Sequence, residues 1–224
     1  DTDRSRGLGD VYKRQASYTI PNVITNPANK KYSVYSIGED CFACDESISN
    51  ITIPKNCVII GENAFMSCEL KKVIFEKGSC LKEIDEAAFY SCVNLKEIVI
   101  PKLVERIGVA AFAYSGLRKI TFESGSKLKF ISGLAFDECD LGNVYLPNNN
   151  ITFDTADLEM GSAFGTGNKT IYTANKATYQ RMIKELQNEE NYGNVDYKAV
   201  YTGPYKITYM IPVSYTHLTL PTKL

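Results

Sequence analysis

The chain has 224 residues, with 25 Lys and Arg against 26 Asp and Glu and a formal net charge of -1. A balance this even sends out no long-range field for a phosphate backbone or an anionic bilayer, so no nucleic-acid partner is expected. No run of about 18 apolar residues occurs, so direct membrane insertion is not expected, and residues 1–15 (DTDRSRGLGDVYKRQ) lack the apolar stretch of a signal peptide.

In chain order, GLGDVYKRQ (7–15) and VSYTHLTLPTK (213–223) read like translated sequencing-adapter sequence. Residues 1–15 and 213–224 are therefore expected to be artefactual tails, with the natural protein continuing beyond both. Residues 16–36 hold two short alternating strands around an Asn/Pro turn and read as an N-terminal cap. From residue 37 to 173 the chain repeats. Phe42, Phe65, Phe89, Phe112 and Phe136 follow one another at 23, 24, 23 and 24 residues, and Ile37, Ile60, Ile84, Ile107 and Ile131 keep time with them. A small residue (Cys41, Ala64, Ala88, Ala111, Ala135) stands before each Phe, which a close backbone approach would require.

Each unit continues with a strand-like apolar pattern: Ile48-x-x-Ile51-x-Ile53, Leu70-x-x-Val73-x-Phe75, Leu95-x-x-Ile98-x-Ile100, Leu117-x-x-Ile120-x-Phe122 and Leu141-x-x-Val144-x-Leu146. These strands are expected to pair in parallel, each with the next. Pro54, Pro101 and Pro147 follow three of them, where a missing N–H ends a ladder. The segments around each Phe (EDCFAC, ENAFMSC, DEAAFYSC) read as short helical turns with acids at the N-terminal end. Beyond the repeats, Tyr179, Met182, Ile183 and Leu186 fall at i, i+3, i+4 and i+7 and predict one amphipathic capping helix over 174–190. Residues 191–212 suggest extra strands or the start of a further domain.

The phased pattern I-x-x-x-A-F-x-x-C-x-x-L-x-x-I-x-I-P resembles the BspA-type leucine-rich repeat over about residues 32–173, with five clear units and a degenerate sixth. The resemblance implies an α/β-type repeat solenoid: a right-handed curved array with a parallel β-sheet and short helical turns. It also implies a role in adhesion or protein binding at a bacterial or protist surface, with no shared catalytic site. Independently of family, a 23-residue unit cannot bury its own apolar face, and stacking supplies the core.

Chemistry-bearing motifs are few. Seven cysteines, an odd number, are read mostly as small buried hydrophobes. Cys41-Phe-Ala-Cys44 has metal or redox spacing but no second ligand pair, and Cys68, Cys92 and Cys139 share one register three residues after their Phe. Cys57 and Cys80 fall on adjacent units, where a bridge is conceivable. Residues 161–170 look like a phosphate loop only superficially, since a strand follows. The single histidine, His217, lies in a suspect tail, so no nucleophile has a base beside it. No enzyme, cofactor or metal site is expected.

The residues between the inward positions point outward along one sheet face: Lys72, Ile74, Glu97, Val99, Lys119, Thr121, Asn143 and Tyr145, preceded by Asn50 and Thr52. Apolar Ile74, Val99 and Tyr145 among charges make this the candidate partner-binding face. The expected partner is a protein, from a host, a matrix or another cell surface, and the expected location is the cell surface or the exterior. The alternatives are a cytoplasmic scaffold of the same fold or a non-catalytic accessory domain of a larger enzyme.

Overall fold

A computed structural model describes residues 17–154, 162–166, 169–186 and 197–203. The tails assigned to 1–15 and 213–224 lie outside the described residues, as do 191–196 and 204–212. The chain is a parallel β-solenoid of about six coils.

Two columns of strands run along it. The first comprises β1 (Ser17–Thr19), β5 (Asn50–Ile53), β7 (Lys72–Phe75), β9 (Glu97–Ile100), β11 (Lys119–Phe122), β13 (Gly142–Tyr145), β15 (Lys169–Thr173) and β16 (Tyr197–Tyr201). The second column is the Ile register: β4 (Ser36–Ile37), β6 (Ile59–Ile60), β8 (Glu83–Ile84), β10 (Arg106–Ile107), β12 (Phe130–Ser132) and β14 (Thr152–Asp154). All six of these form one continuous parallel sheet. The N-terminal segment adds one antiparallel hairpin, β2 (Val23–Thr25) with β3 (Lys31–Ser33).

The first column does not pair throughout. Parallel ladders join β1, β5 and β7, then β9 and β11, then β13, β15 and β16. Among the described residues no ladder crosses from β7 to β9 or from β11 to β13, so the expectation that each strand pairs with the next holds only inside these blocks. The reason is an alternation of coil types. After Ile53, Ile100 and Leu146 comes a proline; after Phe75 and Phe122 comes Glu-x-Gly-Ser, with Gly78 and Gly125 at φ near +79° and +77°. The glycine loop adds length only to the second type, so the corresponding glycines lie 47 residues apart, and the ladder stops after each such coil. Within a pair the two types interlock. Glu76 Oε2 accepts the Lys55 N–H and Glu123 Oε2 accepts the Lys102 N–H, both at 2.9 Å.

The segments expected as short helical turns are not helical. In each, residues two before and two after the Phe adopt left-handed backbone: Asp40 and Cys44, Asn63 and Ser67, Ala87 and Ser91, Ala110 and Tyr114, Leu134 and Glu138. This geometry sends alternate N–H groups in different directions. Ala64, Met66 and Cys68 close turns on the residue three before them, while Asn63, Phe65 and Ser67 donate to Glu86, Ala88 and Tyr90 of the following coil. The same three-bond set recurs at every step from the first coil to the sixth, at 2.7–3.1 Å. A one-turn helix would have left those groups without partners inside the array, and buried backbone groups must pair.

The small slot follows directly. Each Phe N–H reaches the carbonyl of the next coil's small residue, as from Phe65 to Ala88 (2.8 Å) and from Phe89 to Ala111 (2.8 Å). That contact brings the coils close enough for the rings to stack. Phe42, Phe65, Phe89, Phe112, Phe136 and Phe164 lie parallel within 15°, with centroids 5.1–5.8 Å apart. Such offset stacks add about 0.5–1.5 kcal/mol per pair beyond area burial. Phe42 is half-buried beneath Tyr18, and the other five rings are fully buried.

Cysteine completes this layer. Cys68, Cys92 and Cys139 donate from Sγ to the carbonyls of Phe42, Phe65 and Phe112 in the preceding coil, at 2.8, 3.0 and 3.1 Å. All seven cysteines are free thiols, including Cys57 and Cys80, with Cys41, Cys44 and Cys80 exposed and the other four buried.

At the C-terminal end, α1 (Lys176–Leu186) starts at Asn175, whose Oδ1 accepts the Thr178 N–H at 3.0 Å in an N-cap. Met182 is buried, and Thr178 Oγ1 accepts the Ile151 N–H while donating to the Asn149 carbonyl, which ties the helix to the fifth coil. The last strand, β16, then extends the β15 ladder and brings Tyr197 against Phe164.

Phe89→Ala, in the middle of the stack, is expected to cost about 3–5 kcal/mol, because stacked neighbours on both sides cannot close the cavity. A chemical-denaturation midpoint equal to the parent's would contradict this. The thiol column gives a pH signature. Burial pushes Cys68 up to about 11 and Cys92 up to about 12, against an ordinary 9.0. The folded chain thus keeps protons that the unfolded chain loses, so this stabilisation is complete below pH 9.0 and disappears as pH climbs to about 12. Serine already fills the slot at Ser115. Cys92→Ser should therefore fold and lose less stability than the parent as pH rises above 9.0. Parallel stability curves for the two would refute the assignment.

Candidate partner-binding face

Side chains of the first strand column alternate in and out with period two. Ile51, Val73, Ile98, Ile120 and Val144 are buried, and the eight residues expected on the face, Lys72, Ile74, Glu97, Val99, Lys119, Thr121, Asn143 and Tyr145, are all exposed. Ile74 is 40% exposed, Val99 52% and Tyr145 52%.

Backbone register decides which of them meet. Lys72 lies beside Asn50 and Ile74 beside Thr52; Glu97 lies beside Lys119 and Val99 beside Thr121; Asn143 lies beside Thr170 and Tyr145 beside Tyr172. The face is therefore three blocks separated by the two steps without ladders, rather than one unbroken sheet. In the middle block the Glu97 and Lys119 columns bring opposite charges side by side, which favours that register.

Tyr172 was not among the residues expected on the face. Its ring stacks on Tyr145 at 4.8 Å and 15° and is only 9% exposed, so Tyr145 is held by a rigid aromatic floor. Burial, followed by the neighbouring Tyr145, raises the Tyr172 phenol. The step from Tyr145 to Tyr172 is 27 residues, longer than the repeat, which hides Tyr172 from a period search. Beside Tyr145 lies a cleft of about 330 Å³, lined by Phe122 to Ser126 and by Pro147 to Asn149.

Other surfaces differ in character. On the turn side Tyr90 and Tyr114 meet at 5.5 Å, with Tyr114 and Val93 half exposed. Acids gather on the same turns: Glu62 is pushed up by desolvation and then by Glu39, Glu86, Asp85 and Asp40. Cys41 and Cys44 are both exposed there, and among the described residues no three His, Cys, Asp or Glu side chains cluster as a metal site would require. Among the described residues no helix is long and apolar enough to cross a membrane.

The pattern described as the BspA type Leucine rich repeat region matches in six copies over residues 35–158. The chain is similar to the crystal structure of the pneumococcal vaccine antigen PcpA, with a TM-score of 0.62 and 28% identity over 75% of this chain. It spans 42% of that protein's chain. It is also similar to a leucine rich cell surface protein from Faecalibacterium prausnitzii (TM-score 0.48, 24% identity, 73% of this chain and 48% of that one). A leucine-rich repeat protein from Bacteroides capillosus is 34% identical over 49% of this chain and 78% of its own, with a TM-score of 0.45. No curated protein matches. With six phased copies on more than half of its length and the solenoid they build, the chain belongs to the BspA-type leucine-rich-repeat family.

Proposed function

We propose that this chain is a non-catalytic protein-binding or adhesion module of a cell-surface or secreted protein, and that it binds through the outward face of its first strand column. The observation that carries the reading is the exposed apolar series Ile74, Val99 and Tyr145 on strands each held by a parallel ladder to one neighbour. Rigid strands lose little entropy on binding, so such residues act as anchors while Lys72, Glu97 and Lys119 form a charged rim. The similarity to a vaccine antigen favours an extracellular setting.

The seven free thiols favour a second reading, an intracellular scaffold in a reducing compartment. Burial weakens that objection to the extracellular one, because Cys57, Cys68, Cys92 and Cys139 are out of reach of solvent and carry raised pKa values, which suppress the reactive thiolate.

The test starts from a partner captured from host extracellular matrix or mucosal extract. Ile74→Asp combined with Tyr145→Ala is expected to weaken its binding about tenfold or more, about 1.4 kcal/mol, without altering the fold. Val93→Ala combined with Tyr114→Ala, on the turn side, should leave binding intact. Loss from the turn-side pair with full binding by the strand-face pair would move the site and defeat the reading.

A further inference from the structure

The cleft beside Tyr145 has a composition of its own. It lies where no ladder joins β11 to β13, between Phe122–Ser126 and Tyr145–Asn149. Its volume, about 330 Å³, is at the small end of ligand pockets. One wall is aromatic: Tyr145, half exposed and fixed by its stack on Tyr172. Phe122 and Pro147 add apolar surface, and the remaining described lining is polar and neutral apart from one carboxylate. Glu123 commits one oxygen to the Lys102 N–H at 2.9 Å. Ser124 and Asn148 are exposed, and their side chains bond to no other described residue. Asn149 is instead spent on structure, with Nδ2 donating to the carbonyls of Ser126 and Leu128 at 2.8 and 3.0 Å. Among the described residues no lysine or arginine lines the cleft.

These features select a ligand chemistry. The carboxylate of Glu123, with no cation among the described lining residues to offset it, disfavours phosphate, sulfate or a carboxylated ligand. An aromatic ring beside an amide, a hydroxyl and a carboxylate suits a molecule with an apolar C–H face and a rim of hydroxyl groups, each both donor and acceptor. The lining is also particular to this place. One two-coil unit earlier, Val99, Lys102 and Leu103 stand where Tyr145, Asn148 and Asn149 stand here, so the repeat alone does not produce it.

We propose that the cleft between Phe122–Ser126 and Tyr145–Asn149 binds one neutral sugar ring, such as the terminal residue of an uncharged glycan, stacked on Tyr145 and hydrogen-bonded by Asn148, Ser124 and Glu123. The proposal goes beyond the protein-binding face and stands without it, although Tyr145 belongs to both.

The probes are the methyl glycosides of glucose, galactose, mannose and N-acetylglucosamine, observed by saturation-transfer NMR with the full 224-residue chain. At least one is expected to receive saturation at its ring protons, with a Kd of about 1–10 mM. Tyr145→Phe should retain the transfer, and Tyr145→Ala should abolish it. Ser124→Ala with Asn148→Ala, which removes only exposed polar groups, should weaken binding about fivefold or more, about 1 kcal/mol. Ile74→Asp, distant on the strand face, should change nothing here while impairing a protein partner, so the two proposals fail separately. Absence of transfer from all four sugars would overturn the proposal. So would transfer that survives both Tyr145→Ala and the Ser124/Asn148 double substitution.

Discussion

Each phenylalanine of the repeat is joined to the next coil twice, once through its N–H to a carbonyl and once through its ring to another ring. The two contacts constrain each other. A backbone bond of 2.8–3.0 Å sets the coil spacing, and the rings then fall at 5.1–5.8 Å, inside the range of favourable offset stacking. Only a small residue can stand where the accepting carbonyl comes so close, which accounts for Ala64, Ala88, Ala111 and Ala135. The cysteine register belongs to the same layer, since a thiol three residues on reaches back to the preceding Phe carbonyl. This layer requires left-handed backbone at two non-glycine residues per turn, at about 1–3 kcal/mol each. That strain persists because three inter-coil bonds per step, together with the ring stack, leave the turn no alternative that satisfies its N–H groups.

Against this continuous layer and the continuous Ile sheet, the first strand column is free to vary. Its ladders stop after each glycine-loop coil, so it is assembled from separate blocks of two or three strands. The consequence for function is a surface that is rigid in its backbone yet interrupted at defined steps. Flat blocks present Ile74 and Val99, and the interruption after Phe122 makes room for a cleft beside Tyr145. Variation at the interruptions can change the surface without disturbing the Phe layer, a separation that would suit the proposed binding role.

Much of this was legible in the sequence. The five phased Phe and Ile residues, the small slot and the inward strand positions are constrained by packing and repeat with little drift, and the outward eight followed from period two. Three things were not legible. Two-residue strands such as Ile59–Ile60 are too short to show alternation, so the second sheet was visible only as a conserved phase of Ile within the chain. Left-handed turns normally advertise themselves through glycine or asparagine, but here Ala87, Ala110, Tyr114 and Leu134 hold that conformation under tertiary constraint, and a short helix was the natural expectation. Tyr172 and the cleft depend on a 27-residue step and on the missing ladder between β11 and β13, neither of which a fixed period reveals.

The account turns on the inter-coil bonds of the Phe turns, and native-state amide hydrogen exchange measures them one by one. The amides of Phe65, Ser67, Phe89 and Ser91 donate between coils in the middle of the array. They are predicted to exchange only through global unfolding, with an opening free energy equal to the stability of the whole chain and a shared denaturant dependence. Exchange of these four amides through local fluctuations, at opening free energies well below that of the Ile60 and Ile84 strands, would contradict the claim that the turn layer holds the solenoid together.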